Sequence, residues 1–150
     1  HKMIKKFTIV ITLIILTGCG FTPMYSKKNN NNNFSIEEIN FSGERELNNF
    51  LKIGLMRYQN SSDKKFSIDV ESEFSKIILT KDITGKVTNY ELIVNVTFKL
   101  ESNKKIEFSE KKIIENLNDN FEQTKQERSI KQIFATSIIN KFINQLSIIQ

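Results

Sequence analysis

The alternation of apolar and polar side chains between Tyr90 and Leu100 restricts the fold of this 150-residue chain more than any other feature. The apolar positions are Tyr90, Leu92, Val94, Val96, Phe98 and Leu100, and every residue between them except Ile93 is polar. Because successive side chains of a β-strand point to opposite faces of the sheet, this pattern predicts a long strand with one buried face. Such a strand needs neighbouring strands and a second layer that covers its apolar face.

Two further strands are predicted before it. Phe34–Phe41 is short and rich in apolar residues, and a turn at Ser42–Gly43 follows it. The alternation over Phe66–Val70 predicts a half-buried strand. Ile77–Leu79 is apolar without interruption, so we expect a bulge or bend near Ser75–Lys76 that shifts the phase of this strand.

The connections predict a fourth strand after the long one. Lys81–Lys86 contains a glycine and is typical of a hairpin connection. Ser102–Lys104 turns the chain again, and Lys105–Asn116 begins with an alternation of apolar and polar residues at Ile106 and Phe108. We therefore expect a strand from Lys105 to about Asn116.

Two segments have the spacing of an amphipathic helix. Between Glu44 and Tyr58 the apolar residues are spaced by three or four, and Glu44 and Glu46 lie in the first turn, where carboxylates favour the helix dipole. A second helix is predicted from about Glu122 to Ile149. Its apolar stripe consists of Ile130, Phe134, Ile138, Phe142, Leu146 and Ile149, and is widened by Ile133 and Ile139. Packing against a sheet explains this stripe better than a position on a membrane surface, because the polar face mixes its basic residues with Asn and Gln.

The predicted order of elements is β-α-β-β-β-α. Antiparallel strands with helices on one face make an α+β fold. We therefore predict a two-layer sandwich over residues 34–150, with about four mostly antiparallel strands and two helices packed on one face.

The N-terminus has the features of a bacterial export signal. Lys2, Lys5 and Lys6 precede the apolar run Phe7–Leu16, whose ten residues match the apolar region of a signal peptide. A helix that crosses a bilayer needs roughly 20 apolar residues, so a permanent transmembrane segment is disfavoured. We predict that residues 1–18 are a signal peptide.

Leu16-Thr17-Gly18-Cys19 resembles the lipobox of bacterial lipoproteins. A thiol is needed to carry diacylglycerol, and small residues before it admit the backbone to a peptidase. Cys19 is the predicted lipidation site, and residues 19–33, which include a run of five Asn, are predicted to be a flexible tether. Gly20 follows the cysteine in place of Asp, which in many lipoproteins implies sorting to the outer membrane. An ordinary secretory signal with an incidental cysteine is the alternative.

Charge and residue types disfavour several classes of function. Without the three signal lysines, 19 basic residues face 17 acidic ones, so a nucleic-acid partner is not expected. His1 lies in the predicted signal, and the single cysteine is the predicted lipid carrier. The mature chain therefore lacks the groups for His- or Cys-based catalysis and for His or Cys metal ligation. We predict a protein that is not an enzyme and has no cofactor or metal beyond the covalent lipid on Cys19.

Over nearly the whole mature chain, the sequence resembles the LPS-assembly lipoprotein (LptE) family. The segments that carry this resemblance are Cys19–Tyr25 after the lipid anchor, the helix with Arg45, Leu51 and Leu55, the hairpin from Thr84-Gly85 to Tyr90–Leu92 and Phe98–Leu100, and the closing helix with Phe121, Glu127-Arg128 and Ile130. The resemblance implies a periplasm-facing lipoprotein of the cell outer membrane that plugs the β-barrel LptD and helps it to assemble. It also implies binding of lipopolysaccharide during delivery to the outer leaflet.

Four lysines in predicted turns are candidates for contact with the phosphates of lipid A. They are Lys81 and Lys86 at one hairpin and Lys104 and Lys105 at the next. Charge-assisted hydrogen bonds from ammonium groups to phosphate are strong enough to support such a role. The alternative is that they are ordinary solvated turn lysines in a lysine-rich protein.

Two other classes of protein are compatible with the same residues. An envelope lipoprotein of another kind, such as a periplasmic chaperone or an assembly scaffold, would share the anchor and the fold but have no LPS role. A soluble periplasmic domain would require that Cys19 carry no lipid.

Overall fold

The computed structural model describes residues 35–59 and 65–148. Its elements are β1 (Ser35–Gly43), α1 (Arg45–Leu55), a 3₁₀ turn (Met56–Tyr58), β2 (Lys65–Lys81), β3 (Val87–Leu100), β4 (Lys105–Glu115) and α2 (Asn120–Ile148). Four strands and two α-helices in this order confirm the predicted α+β fold.

The strands form one mixed sheet in the order β1-β2-β3-β4. β1 runs parallel to β2, and the other neighbours are antiparallel. Ser35 pairs with Lys65, and we call the end of the sheet at which this pair lies, where β3 ends and β4 begins, the Ser35 end. We call the opposite end, at the connection between β2 and β3, the hairpin end.

β3 has the predicted alternation and supplies the middle of the core. Leu92, Val94, Val96 and Phe98 are fully buried, and Leu100 is nearly so. Burying an aliphatic or aromatic side chain of this size contributes about 1.5–3 kcal/mol. This apolar row therefore requires a covering layer, which the two helices provide.

α1 is shorter than its sequence pattern predicts. Glu44 caps its N-terminus by accepting a hydrogen bond from the backbone N–H of Leu47. Leu47, Leu51 and Leu55 are completely buried. The α-helix ends at Leu55, and the predicted last turn to Tyr58 is a 3₁₀ turn in which no residue is buried.

α2 lays its stripe of apolar residues on the sheet. Five of the six predicted stripe residues (Ile130, Phe134, Ile138, Phe142 and Leu146) are buried, and the sixth, Ile149, lies outside the described residues. Ile139 is also buried, as predicted. The prediction for Ile133 is wrong, because its side chain is 57% exposed.

The predicted bulge near Ser75–Lys76 is also wrong. β2 pairs with β3 without interruption from Ile68 to Ile78, and the irregularity lies at Leu79. The apolar run Ile77–Leu79 does not mark a change of phase. It lies where the strand extends beyond its covering layer, so side chains on both faces are exposed.

A buried ammonium group links the two helices. The side chain of Lys131 in α2 is 11% exposed, and its Nζ lies 3.2 Å from Glu44 Oε1 and 3.0 Å from Glu46 Oε2. The same Nζ lies 4.2 Å above the ring of Phe74 in β2. These contacts join the N-terminus of α1, the middle of α2 and the sheet.

Candidate functional site at the hairpin end

The predicted lipidation site and the segments around it lie outside the described residues. These are Cys19 and the lipobox residues Leu16, Thr17 and Gly18, together with the predicted signal and tether segments, residues 1–18 and 19–33. The four candidate lysines belong to the described domain, and their positions follow from the strand connections.

The hairpin end of the sheet carries a group of exposed aliphatic side chains. Ile77, Ile78, Leu79 and Ile113 are each 44–56% exposed, and Ile83 at the turn is fully exposed. Together with Lys81 and Lys86 we call them the hairpin surface, which wraps around the end of the sheet, with Ile77 and Ile113 on the uncovered face and Ile78 on the helix-covered face. Large apolar side chains grouped in this way commonly mark a site of interaction with protein, ligand or membrane.

The register explains why distant segments meet on this surface. Ile77 of β2 and Ile113 of β4 both pair with Glu91 of β3, one on each side. Ile93 lies two residues further along the same face of β3, within diagonal reach of both isoleucines. The uncovered face of the sheet therefore carries three isoleucines at its hairpin end, with Glu91 between Ile77 and Ile113 and Lys111 beside Ile93.

The turn between β2 and β3 has a defined conformation. Asp82 Oδ1 accepts hydrogen bonds from the N–H and hydroxyl of Thr84, at 2.8 and 2.6 Å, and from the N–H of Lys86 at 3.0 Å. The hydrogen bond from the Thr84 hydroxyl is the main reason why the pKa of Asp82 lies below its ordinary value of 3.8. Gly85 has a φ of +84°, a conformation that glycine adopts readily.

This turn places both of its candidate lysines beside the exposed aliphatic residues. Lys81 pairs with Val87 at the end of β2, and Lys86 follows the turn. Lys86 Nζ donates a hydrogen bond to Asn118 Oδ1 at 3.0 Å, so it is held near the chain that enters α2. Lys81 is exposed and makes no ion pair with another described residue.

The structure does not bring the four candidate lysines together. Lys81 and Lys86 are at the hairpin end, whereas Lys104 and Lys105 are at the Ser35 end. β3 separates the two turns by its 14 residues, which span about 45 Å at the usual rise of a strand. One phosphorylated headgroup cannot contact both pairs.

Sequence reasoning did not single out two lysines of β4. Lys111 pairs with Ile93 and Lys112 pairs with Leu92, next to the hairpin surface. Both lysines are exposed. The antiparallel register between β3 and β4 places these two lysines next to the hairpin surface. This register can be predicted from the sequence only when the exact position of the turn at Ser102–Lys104 is known.

The hairpin surface combines ammonium groups with neighbouring aliphatic side chains. Ammonium groups attract phosphate. Contact with hydrocarbon removes exposed aliphatic side chains from water, which is favourable. The surface therefore suits an amphiphile whose anionic groups adjoin acyl chains. Within residues 35–59 and 65–148, no helix is long and apolar enough to cross a membrane.

The fold and this surface define a small two-layer α+β domain with an open, partly apolar sheet face. No family model matches the chain. No curated protein matches it either.

Solved structures of bacterial lipoproteins share this fold. Rare lipoprotein B from Shewanella oneidensis superposes with a TM-score of 0.56 at 11% identity, over 73% of this chain and 93% of that chain. An uncharacterized lipoprotein B from Nitrosomonas europaea superposes with a TM-score of 0.53 at 14% identity, over 77% of this chain and 85% of that chain. A minor lipoprotein from Acinetobacter baumannii superposes with a TM-score of 0.52 at 17% identity, over 74% of this chain and 90% of that chain.

Proposed function

We propose that this protein is a lipoprotein of the outer membrane that binds lipopolysaccharide during its delivery to the outer leaflet. Cys19 carries the lipid, the protein faces the periplasm, and it plugs the β-barrel LptD and helps that barrel to assemble. It performs no covalent chemistry and uses no cofactor. The three similar structures described above are each named as a lipoprotein, which supports an envelope role.

The hairpin surface is the observation that carries the proposal. Its half-exposed aliphatic side chains suit the acyl chains of lipid A, and Lys81 and Lys86 suit its phosphates. Because Lys104 and Lys105 lie about 45 Å away, at the far end of β3, they cannot contact the same headgroup. The proposal therefore assigns the LPS phosphates to the hairpin pair alone.

Binding of LPS is tested with paired lysine variants. Lys81→Gln/Lys86→Gln is compared with Lys104→Gln/Lys105→Gln, which removes the same charge from the opposite end of the sheet. We expect weaker binding of purified LPS only for the hairpin pair. A hydrogen bond to a charged group contributes roughly 1.5–3 kcal/mol. Loss of these contacts should therefore lower the affinity for LPS about tenfold or more. Equal binding by both variants and the unaltered protein would refute this site.

Partnership with the barrel is tested by co-purification. A C-terminally tagged chain is extracted from outer membranes in mild detergent, with Cys19→Ala as the control for the anchor. The expected result is a large β-barrel in near-equal amount and a lipid-bearing Cys19 in the mass spectrum. Isolation of the tagged protein alone would contradict the LPS-assembly role and favour another envelope lipoprotein. An unmodified Cys19 would instead favour a soluble periplasmic domain.

A further inference from the structure

A polar cleft lies at the hairpin end, where the β2–β3 connection meets the chain that enters α2. Its volume is about 390 Å³, within the range of roughly 300–1,000 Å³ that is usual for sites of small ligands. Its half-buried floor consists of Val87, Thr88, Asn89 and Asn116, and its exposed rim consists of Asp82, Lys86, Glu115 and Asn118. Only Val87 among these eight residues is apolar, so the cleft suits a hydrophilic ligand.

Three asparagine side chains of this cleft are each held at one end and unused at the other. Asn89 Oδ1 accepts a hydrogen bond from the Thr80 hydroxyl at 2.8 Å, and Asn118 Oδ1 accepts one from Lys86 Nζ at 3.0 Å. Asn116 Nδ2 donates to a backbone carbonyl of β3 at 2.8 Å. Within residues 35–59 and 65–148, the NH₂ groups of Asn89 and Asn118 and the side-chain carbonyl of Asn116 have no other partner. The cleft therefore presents fixed donors and a fixed acceptor to a ligand.

Two charged groups add to this set of donors and acceptors. The Glu115 carboxylate has no ion pair with another described residue, and Lys86 Nζ has N–H groups beyond the one that bonds Asn118. Because Asp82 and Glu115 bring two negative charges against one positive charge, the cleft does not suit a free anion. A ring with several neighbouring hydroxyl groups matches it, since each hydroxyl both donates and accepts hydrogen bonds.

The strand register places this cleft next to the aliphatic part of the hairpin surface. Asn89 pairs with Glu115, and the next pair on the same face of the sheet is Glu91 with Ile113. Successive pairs on one face lie about 7 Å apart, so a ring between Asn89 and Glu115 is close to the isoleucine. Lys86 belongs both to the hairpin surface and to the rim of the cleft, so a phosphate on the ring can lie beside this lysine.

We propose that this cleft binds the sugar of a glycolipid headgroup, and that Asn89, Asn116, Asn118 and Glu115 bond its hydroxyl groups. The inference rests on the proposed function, because it assigns the sugar of lipopolysaccharide to the cleft beside the surface assigned to its phosphates and acyl chains. Phosphate and acyl chains alone occur in any anionic phospholipid. A phospholipid without a sugar would leave the polar groups of the cleft without partners, so the cleft favours a glycolipid.

The test uses the sugar without its acyl chains. The isotope-labelled full chain in mild detergent is titrated with deacylated lipid A, which is a phosphorylated glucosamine disaccharide, and with the same disaccharide after removal of its phosphates. The NMR signals of the side-chain amides of Asn89 and Asn118 report on the cleft. Asn95 is the matched control, because it lies on the same face of β3 about 20 Å from Asn89.

We expect both disaccharides to shift the signals of Asn89 and Asn118 and to leave that of Asn95 unchanged. Asn89→Ala/Asn118→Ala removes two hydrogen bonds to the ligand and should weaken binding of the dephosphorylated disaccharide at least about fivefold, whereas Asn95→Ala should have no effect. Asn116 is left unaltered because its amide holds the backbone of β3. Circular dichroism checks that each variant keeps the fold. Unshifted signals of Asn89 and Asn118, or an equal loss of affinity in Asn95→Ala, would overturn the proposal.

Intact lipopolysaccharide separates failure of the cleft from failure of the proposed function. If its binding is weakened by Lys81→Gln/Lys86→Gln but not by Asn89→Ala/Asn118→Ala, the hairpin surface stands and the sugar site is refuted. If phosphatidylglycerol competes as well as lipopolysaccharide itself, the sugar site is refuted in the same way. If the dephosphorylated disaccharide binds the cleft and intact lipopolysaccharide does not bind, the sugar site stands and the proposed function is contradicted.

Discussion

The ring of Phe142 in α2 lies flat against the ring of Phe98 in β3. Their centroids are 3.9 Å apart and their planes differ by 9°. Both side chains are completely buried, and Phe108 of β4 meets Phe98 edge-on at 5.9 Å. This stack is a direct contact between the helix layer and the sheet.

Removal of the Phe142 ring should therefore open a cavity between the layers. We expect Phe142→Ala to lower the free energy of unfolding by about 3–5 kcal/mol, as in other cores. Phe121→Ala, at an exposed position of the same helix, should change it by no more than about 0.5 kcal/mol. Urea unfolding followed by circular dichroism measures both, and equal losses would contradict the importance of the stack.

The Lys131 ammonium group should stabilise the contact between the helices. Lys131→Met leaves Glu44 and Glu46 without their shared partner, and we expect a loss of about 2 kcal/mol in the free energy of unfolding. Adding Glu46→Gln should restore part of it, because it removes one of the two carboxylates that face position 131 and leaves only the longer, exposed ion pair of Glu46 with Arg128, at 3.4 Å, to be lost.

The pair Lys65–Glu37 is the matched control for this experiment. Both of its side chains are 57% exposed, so Lys65→Met should cost less than about 1 kcal/mol. If Lys131→Met cost no more than Lys65→Met, the buried cluster would contribute nothing beyond an ordinary surface ion pair.

Two glycines with positive φ should differ sharply in their tolerance of alanine. At Gly43, with a φ of +95°, an added Cβ would lie 1.9 Å from the carbonyl oxygen of Ser72, which also accepts a hydrogen bond from Glu44 N. At Gly85 an added Cβ has open space, and only the backbone strain of about 1–2 kcal/mol remains. Thermal unfolding should therefore show a larger loss for Gly43→Ala than for Gly85→Ala, and the reverse order would refute this packing.

Glu110 should make the protein less stable in acid. Its carboxylate accepts hydrogen bonds from Lys141 Nζ at 2.6 Å and Ser137 Oγ at 2.7 Å, and these bonds, led by the one from Lys141, hold its pKa below 4.5 against the effect of partial burial. A lowered pKa in the folded state means that the unfolded chain binds the proton more readily. The contribution of Glu110 is therefore complete above about pH 4.5 and is lost as the pH falls through the folded-state pKa.

Lys141→Gln tests this contribution. The variant should raise the pKa of Glu110 toward 4.5, as seen by NMR titration of its side-chain carboxyl carbon, and should reduce the loss of stability in acid. Lys125→Gln removes a charge from the same helix away from Glu110 and should leave the titration unchanged. A pKa of Glu110 that is the same in both variants would contradict the assigned cause.

The sequence predicts most of the fold because its strongest patterns belong to buried elements. β3 follows its alternation closely, since both of its edges are paired and one face is covered. In α2, steps of four residues advance the stripe by about 40° each time around the helix. Ile139 lies only about 20° beyond the arc that this winding stripe covers, whereas Ile133 lies about 60° outside it on the other side, which fits the burial of Ile139 alone.

The candidate site is harder to predict because it depends on where the helix layer stops covering the sheet. The sequence contains Ile77–Leu79 and Ile113, but their exposure follows from the position of the helices over the sheet. The separation of the lysine pairs could be predicted, because the two turns flank one strand. The meeting of Ile77 and Ile113 beside Glu91 could not, since it depends on the register of three strands.

β1 is an edge strand whose only strand neighbour within the described residues is β2, and its first residue receives the chain from the N-terminus. A mechanical load applied to that chain therefore reaches the domain through the hydrogen bonds between β1 and β2. A pull along the strand axis loads these bonds together, as in shear. A pull across the sheet opens them one after another from the pair Ser35 and Lys65, so the direction of tension determines how much force the domain withstands before β1 separates.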